Sequence, residues 1–332
     1  MIETRILQVA DDEMKDAVRE ACALLRDGEI VALPTETVYG LAADAFNPEA
    51  IAKVFAAKER PAFDPLIVHI ASRGDLKKVA IVPEEILDTV NQLTSAFWPG
   101  PLTLILPKHP DVPDLVTSGL PTVAVRQSAH PVFRAIGKEL GGAIAAPSAN
   151  RFGRISPSCA AHVFAEFDPS LWVLDGGGCQ VGIESSIVDC TRGQPVLLRP
   201  GVLSNQQLAA VAGQPLLERD AAAPRASGTL ESHYAPRARL RLMTGPQLGA
   251  ALQLLDAGLP TLAVYSRSRL TGVGAGLLQR RMPVRADDAA RELYAALREL
   301  DADGVELIWV EQPPADPAWD GVRDRLQRAA AS

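Results

Sequence analysis

Short apolar runs alternate with amphipathic stretches along most of the chain, the pattern of strands interleaved with helices. Residues 5–9 read as a strand, and Asp11 or Asp12 can cap a helix running to about Arg26, where Asp27-Gly28 ends it. Residues 29–33 form a short buried strand that Pro34 stops, because proline cannot donate to a ladder. Asn47-Pro48 opens a helix to about Ala57, and Pro131 opens another. Further strands are predicted over 66–70, 102–106, 122–126, 143–146, 171–174, 186–189 and 195–198, with the turn Trp98-Pro99-Gly100-Pro101 before the second of these.

The pattern lapses over 213–238, where Pro215, Pro224, Gly228 and Pro236 punctuate a stretch without sustained periodicity, read as a linker. It then restarts: strand 240–242, helix 246–256, strand 261–265, helix 286–300, strand 305–310 and helix 317–330. The chain therefore divides into a first domain over 1–212, a linker over 213–238 and a second domain over 239–332. Strand–helix alternation in the last segment predicts a small three-layer α/β domain on a mainly parallel sheet.

Composition narrows the function. Hydrophobic residues make up 47% and charged residues 22% of the 332, enough for sizeable cores in a globular protein. No apolar run reaches the ~18–20 residues of a membrane helix, and Met1-Ile2-Glu3-Thr4-Arg5 lacks a basic segment leading into an apolar one, so a cytoplasmic protein with no membrane partner is expected. The net charge of −7 disfavours extended nucleic-acid binding, although a few cations can still focus a field inside a cleft. Cys22, Cys159, Cys179 and Cys190 show no CxxC spacing, so buried free thiols are expected instead of zinc or a disulfide framework, and no protein metal site is expected.

Several segments carry candidate chemistry, each with a plainer alternative. Pro34-Thr35-Glu36-Thr37-Val38-Tyr39-Gly40-Leu41 puts three hydroxyls and a carboxylate at a strand exit, where α/β sheets bind ligands; it can equally be a capped turn. Lys58 and Arg60 suit phosphate oxygens, or simply favour a helix C-terminus. Pro147-Ser148-Ala149-Asn150 can hold phosphate, ribose or adenine, or cap a turn. Arg126 and Arg199 each end a strand and can take a carboxylate or phosphate, or a surface ion pair. Gly176-Gly177-Gly178-Cys179-Gln180-Val181-Gly182 has the wrong spacing for a dinucleotide fingerprint and precedes a strand, and no P-loop occurs. His69 reads as a core histidine; His233-Tyr234-Ala235-Pro236 is an aromatic pair inside the linker, suited to folding back onto a pocket.

Taken together, these segments resemble the YrdC-like family in its long two-domain form, the threonylcarbamoyl-AMP synthases. The resemblance is carried by Pro34 to Leu41, Lys58-x-Arg60-Pro61 with Pro65-Leu66-Ile67-Val68-His69, Trp98-Pro99-Gly100-Pro101-Leu102-Thr103, and Arg126. It continues through Pro147 to Asn150, Glu184-Ser185-Ser186-Ile187-Val188-Asp189, Arg199-Pro200-Gly201 and Ser232-His233-Tyr234-Ala235-Pro236. Asp64 and Glu59 depart from the family's usual Asn and Gly. The resemblance implies an open, twisted α/β sheet with a deep concave site, a linker folding over it, and a smaller Rossmann-like α/β domain. It implies that L-threonine, bicarbonate and ATP give threonylcarbamoyl-adenylate and pyrophosphate, the first step of threonylcarbamoyladenosine modification of tRNA beside the anticodon. Lys58 and Arg60 are implied as catalytic residues on the triphosphate. Ala62, Thr122, Ser148, Asn150, Ser156, Arg199 and Tyr234 are implied to join them on ATP, and Thr35, His69, Arg126, Ala146 and Ser185 to surround threonine. Mg2+ is implied to ride on the phosphates, the product to pass to a downstream tRNA threonylcarbamoyltransferase complex, and direct tRNA binding to be slight.

Overall fold

A computed structural model of the chain describes residues 6–8, 14–254, 261–269, 277–301 and 304–331. Its first sheet is built from β1 (Ile6–Gln8), β2 (Val31–Leu33), β3 (Gly40–Asp44), β4 (Ile67–His69), β5 (Leu102–Pro107), β6 (Thr122–Arg126), β7 (Ile144–Ala145), β8 (Trp172–Asp175), β9 (Ser186–Asp189), β10 (Val196–Arg199) and β11 (Leu217–Glu218). The order across it is β1-β8-β2-β3-β7-β4-β6-β5-β9-β10-β11, mixed in direction: β3 is antiparallel to both β2 and β7, whereas β4 and β6 are parallel.

Side chains alternate faces along a strand, so the central strands sort themselves into two surfaces. Val68, Val125, Leu104 and Val188 point into the main core, which the helices Pro48–Lys58 and Glu84–Phe97 help to close. Their neighbours Ile67, Ala124, Ile105 and Ile187 form a smaller apolar strip on the opposite face, and Ala226 of the linker packs on it. His69 and Arg126 lie on that same face, two residues beyond Ile67 and Ala124. The first sheet thus turns one face to its main core; the other face is covered by helices Met14–Arg26 and Pro131–Leu140 over β2, β3, β7 and β8, and meets the linker over β4, β6, β5, β9 and β10.

The second sheet contains β12 (Arg239–Met243), β13 (Leu262–Ser266), β14 (Leu278–Arg281) and β15 (Leu307–Glu311), all parallel in the order β12-β15-β13-β14. Helices Ala286–Leu300 and Asp320–Ala330 cover one face with Ala263, Tyr265, Ile308 and Val310; Leu248 of helix Gly245–Gln253 meets Leu262 and Val264 on the other. The three-layer arrangement expected of this segment is present. Its core does not stop at the domain boundary, because Val38, Ile155, Ile183 and Tyr234 belong to the same cluster.

The sequence reading leaves out the helix Asn205–Ala212 and three helices of four or five residues, and four further elements depart from it. β3 begins inside the run 34–41 that reads as a turn; its Gly-Leu-Ala-Ala run has weak strand preference, and pairing on both sides makes it a strand. β11 lies inside the predicted linker and pairs with β10, so the connecting segment proper begins after Glu218. β14 is an edge strand with one apolar residue and no strand pattern of its own, and the helix Glu84–Phe97, absent from the predicted elements, buries Ile86, Val90 and Leu93 at helical spacing. The Asp11 or Asp12 cap and the predicted end at 256 lie outside the described residues. Cys22, Cys179 and Cys190 are buried, Cys159 is partly so, and all four thiols are free.

Candidate active site

One cavity lies where the loop after β2, the ends of β4 and β6, the segment after β7 and the linker converge. Its walls include Thr35, His69, Arg126, Ala146, Ser148, Arg199 and Tyr234, seven of the residues expected to bind substrates. Its free volume is about 30 Å³, far below the roughly 300–1,000 Å³ of a pocket that buries a small ligand. Ser227, Gly228, His233 and Tyr234 of the linker form the roof.

The strand-exit loop is ordered by its own hydroxyls. The Thr35 Oγ1 accepts from the amides of Thr37 (3.1 Å) and Val38 (3.2 Å), so the plainer turn-capping role applies to it as well. Glu36 reaches across to Arg126, whose Nη2 donates to Oε1 at 2.7 Å, while the Ser128 hydroxyl donates to Oε2 at 2.5 Å. Burial alone pushes the Glu36 carboxyl up, but Arg126 and Ser128 outweigh it and hold its pKa below the usual range. His69 stacks on Phe133 with ring centroids 4.7 Å apart, and burial, reinforced by the Arg126 charge, drops its pKa to about 3. It is both a buried histidine and a cavity residue.

Lys58 and Arg60 stand behind the cavity wall. Lys58 ends the helix Pro48–Lys58 and is almost fully buried. Its Nζ donates to the Ser148 carbonyl at 2.5 Å and to the Asn150 carbonyl, bracing that loop. Burial first, and Arg60 second, hold its pKa well below the usual lysine value. Arg60 donates to the carbonyls of Asp64 (2.9 Å) and Pro65 (2.8 Å), pairs with the Asp64 carboxylate at 2.9 Å, and reaches the linker at Ser227 Oγ, 3.1 Å away. The Asp64 departure noted in the sequence is therefore an internal partner for Arg60.

The remaining expected residues lie outside the cavity lining. Asn150 donates its amide to the carbonyls of Arg151 (2.7 Å) and Arg154 (2.9 Å), and its buried Oδ1 has no partner. Ser156 donates to Glu184 at 2.5 Å, and Ser185 sits between Thr103 (2.7 Å) and Arg199 (3.1 Å), one bond away from the cavity. Ala62 lies in an exposed turn. Thr122 occupies the opposite end of β6 from Arg126, on the same sheet face, farther along the groove that the linker covers.

Tyr234 has a positive φ of 63° and points its hydroxyl at Gly228, whose carbonyl lies 3.4 Å away. Gly228, also at positive φ, leaves room that a Cβ would close to 2.2 Å from that hydroxyl. The substrate contacts expected residue by residue leave out Thr37, Glu184, Ser227 and His233, which also line the cavity; Glu36 does not line it and sits behind Arg126. Glu36 is the only carboxylate in the run 34–41, while the run 184–189 holds both Glu184 and Asp189. The glycine run 176–178 precedes β9, not a helix, as expected. Among the described residues no group of three or more His, Cys, Asp or Glu is placed to hold a metal, and no helix is long and apolar enough to cross a membrane.

Comparison with known proteins places this geometry among relatives. Residues 23–201 match the Sua5/YciO/YrdC family, described as "Telomere recombination", and residues 203–331 match the family described as "Threonylcarbamoyl-AMP synthase, C-terminal domain". The chain is 35% identical to the threonylcarbamoyl-AMP synthase of Pyrococcus abyssi, covering 98% of both chains. It is 38% identical to that of Bacillus subtilis, covering 94% of this chain and 92% of the relative. The crystal structure of P. abyssi Sua5 complexed with L-threonine superposes with a TM-score of 0.87 at 34% identity, over 98% of this chain and 97% of that one.

Proposed function

The chain belongs to the Sua5/YciO/YrdC family, and from that premise we propose that it makes threonylcarbamoyl-AMP from L-threonine, bicarbonate and ATP, releasing pyrophosphate. The observation that carries this reading is one cavity where Thr35, His69 and Arg126 meet Ser148 and Arg199 under Tyr234. Amino-acid chemistry and nucleotide chemistry are adjacent there.

The Arg126–Glu36 pair offers a cation and an anion side by side, complementary to the carboxylate and ammonium of an amino acid. Bicarbonate and the threonine amine condense to a carbamate with loss of water. A carbamate oxygen then attacks the α-phosphorus, and the bond to the bridging oxygen breaks as pyrophosphate leaves. Charge builds on phosphoryl oxygens, so positioning and fixed donors supply most of the catalysis. Lys58, Arg60 and Arg199 are the buried cations at hand. Lys58 has three donors and spends two on carbonyls, leaving one for a phosphate oxygen. Magnesium enters as part of the MgATP substrate. Because the linker residues leave so little free volume, substrate entry requires 227–234 to lift. The product then serves threonylcarbamoyladenosine formation on tRNA through a downstream transferase.

The direct test is pyrophosphate release from ATP with bicarbonate and threonine, serine or no amino acid. Threonine-dependent release is expected; release indifferent to the amino acid rejects the reading.

A further inference from the structure

The second domain meets the cavity lining at Val38, Glu184 and Tyr234, and its side chains hydrogen-bond that lining at the Glu184 carboxylate. Helix Ala286–Leu300 packs so closely on the loop before it that a Cβ on Gly182 would lie 2.4 Å from the Arg291 Cα. On the other side, a Cβ on Gly321 of helix Asp320–Ala330 would lie 2.5 Å from the Gly201 carbonyl oxygen. Glu184 sits between these two close approaches and lines the cavity.

Three donors converge on its carboxylate. Ser156 Oγ donates to Oε1 at 2.5 Å, while Tyr294 Oη and Arg325 Nε donate to Oε2 at 2.7 and 2.8 Å. Arg325 also donates to the Glu184 carbonyl at 3.2 Å and to the Pro200 carbonyl, next to Arg199, at 2.7 Å. Its guanidinium lies 5.2 Å from the centre of the Tyr234 ring in the roof. Arg325 therefore touches the wall, the Arg199 loop and the roof at once. Cohesion between the domains does not need this charge, because Val38, Ile155 and Ile183 already join the second apolar core. A buried ion cluster adds little stability over an apolar filling, but it fixes one arrangement.

We infer that Arg325 and Tyr294 are positioning residues of the proposed adenylation: through Glu184 and Ser156 they set the nucleotide wall, and through Tyr234 the roof, so that the site is complete only when the second domain is docked. The inference rests on the reaction proposed above. The charged or titratable groups facing Glu184 are Arg325, Arg199, Lys58, Tyr294, Tyr234 and His233, with Asp324 behind Arg325 at 2.7 Å.

The test uses the full chain as wild type, Tyr294→Phe and Arg325→Met. Affinity for a non-hydrolysable ATP analogue is read by calorimetry, and pyrophosphate release is followed from pH 5 to 8. Both variants are expected to weaken analogue binding about tenfold, the effect of losing one buried charge-assisted bond, while the KM for threonine stays within about twofold. Arg325→Met is expected to lose a larger fraction of its rate than the wild type as pH falls toward 5, because Glu184 without Arg325 is easier to protonate. If Arg325→Met does not fold, Tyr294→Phe, which loses one hydroxyl, decides. Folded variants with wild-type affinity and a wild-type pH profile overturn the inference. Wild-type protein that binds the analogue without releasing pyrophosphate overturns the reaction instead; the positioning role then stands or falls on the affinities.

Discussion

Arg126, on the cavity wall, forms a buried ion pair with Glu36 behind it, Nη2 to Oε1 at 2.7 Å. The pair arises because the strand-exit loop after β2 and the end of β6 face each other across the sheet. Removing the arginine strands a buried carboxylate, which costs about 3–5 kcal/mol. Arg126→Ala is therefore expected to lower the unfolding midpoint and abolish threonine use. The double variant Arg126→Ala/Glu36→Gln should recover part of the stability and none of the threonine use. Chemical denaturation with parallel pyrophosphate assays separates the two effects, and a double variant active with threonine would remove Arg126 from the amino-acid site.

Lys58 is held by the carbonyls of Ser148 and Asn150 in a setting where burial and Arg60 depress its pKa. A triphosphate placed beside it raises that pKa again. Lys58→Ala is expected to reduce nucleotide use by roughly 10–100-fold. Affinity for MgATP, read by calorimetry, should fall to match in the variant. Equal affinity in both proteins would take Lys58 off the phosphates.

Gly228 leaves the space that Tyr234 Oη fills. A methyl there also strains a backbone at φ 69°. Gly228→Ala is expected to displace the roof and cut turnover by about tenfold or more while both domains keep their fold. Tyr234→Phe should cost little, since the 3.4 Å contact it removes is a weak bond. Circular dichroism and turnover on the two variants check the contrast, and the reverse ranking would make the hydroxyl, not the fit, the working element.

Two buried histidines make stability sensitive to acid. Burial is the main cause in both His69 and His233, whose pKa values fall from 6.5 to about 3. Between those values the unfolded chain binds more protons than the folded one, so stability is full above about pH 6.5 and declines as pH falls toward 3. Glu184, held down to about 2 chiefly by Arg325 and Arg199 against its burial, adds a second loss below its ordinary value of 4.5. The melting temperature should thus fall from pH 7 to pH 4, and the His69→Gln variant should show a shallower fall. A flat profile over that range would contradict this origin of the acid sensitivity.

Much of this was readable from the chain. Apolar runs bounded by proline and glycine located the central strands, because a strand buried on both faces has little freedom in composition. The hydroxyl and cation segments stood at strand exits, and the sheet gathers Thr35, Arg126 and Ser148 into one cavity. What escaped depends on tertiary partners. β3 is a strand because β2 and β7 flank it, and Glu184 matters because Arg325 and Tyr294 arrive from residues more than 100 positions away. No local pattern encodes such meetings.

The central claim is that one cavity holds an amino acid beside a nucleoside triphosphate. A crystal structure of the protein with L-threonine and a non-hydrolysable ATP analogue tests it most directly. The account predicts the threonine carboxylate against Arg126, and phosphate oxygens within hydrogen-bond reach of Lys58 and Ser148, with the linker lifted or re-seated over both. Threonine and nucleotide bound in separate places, or nucleotide bound away from Lys58 and Ser148, would contradict it.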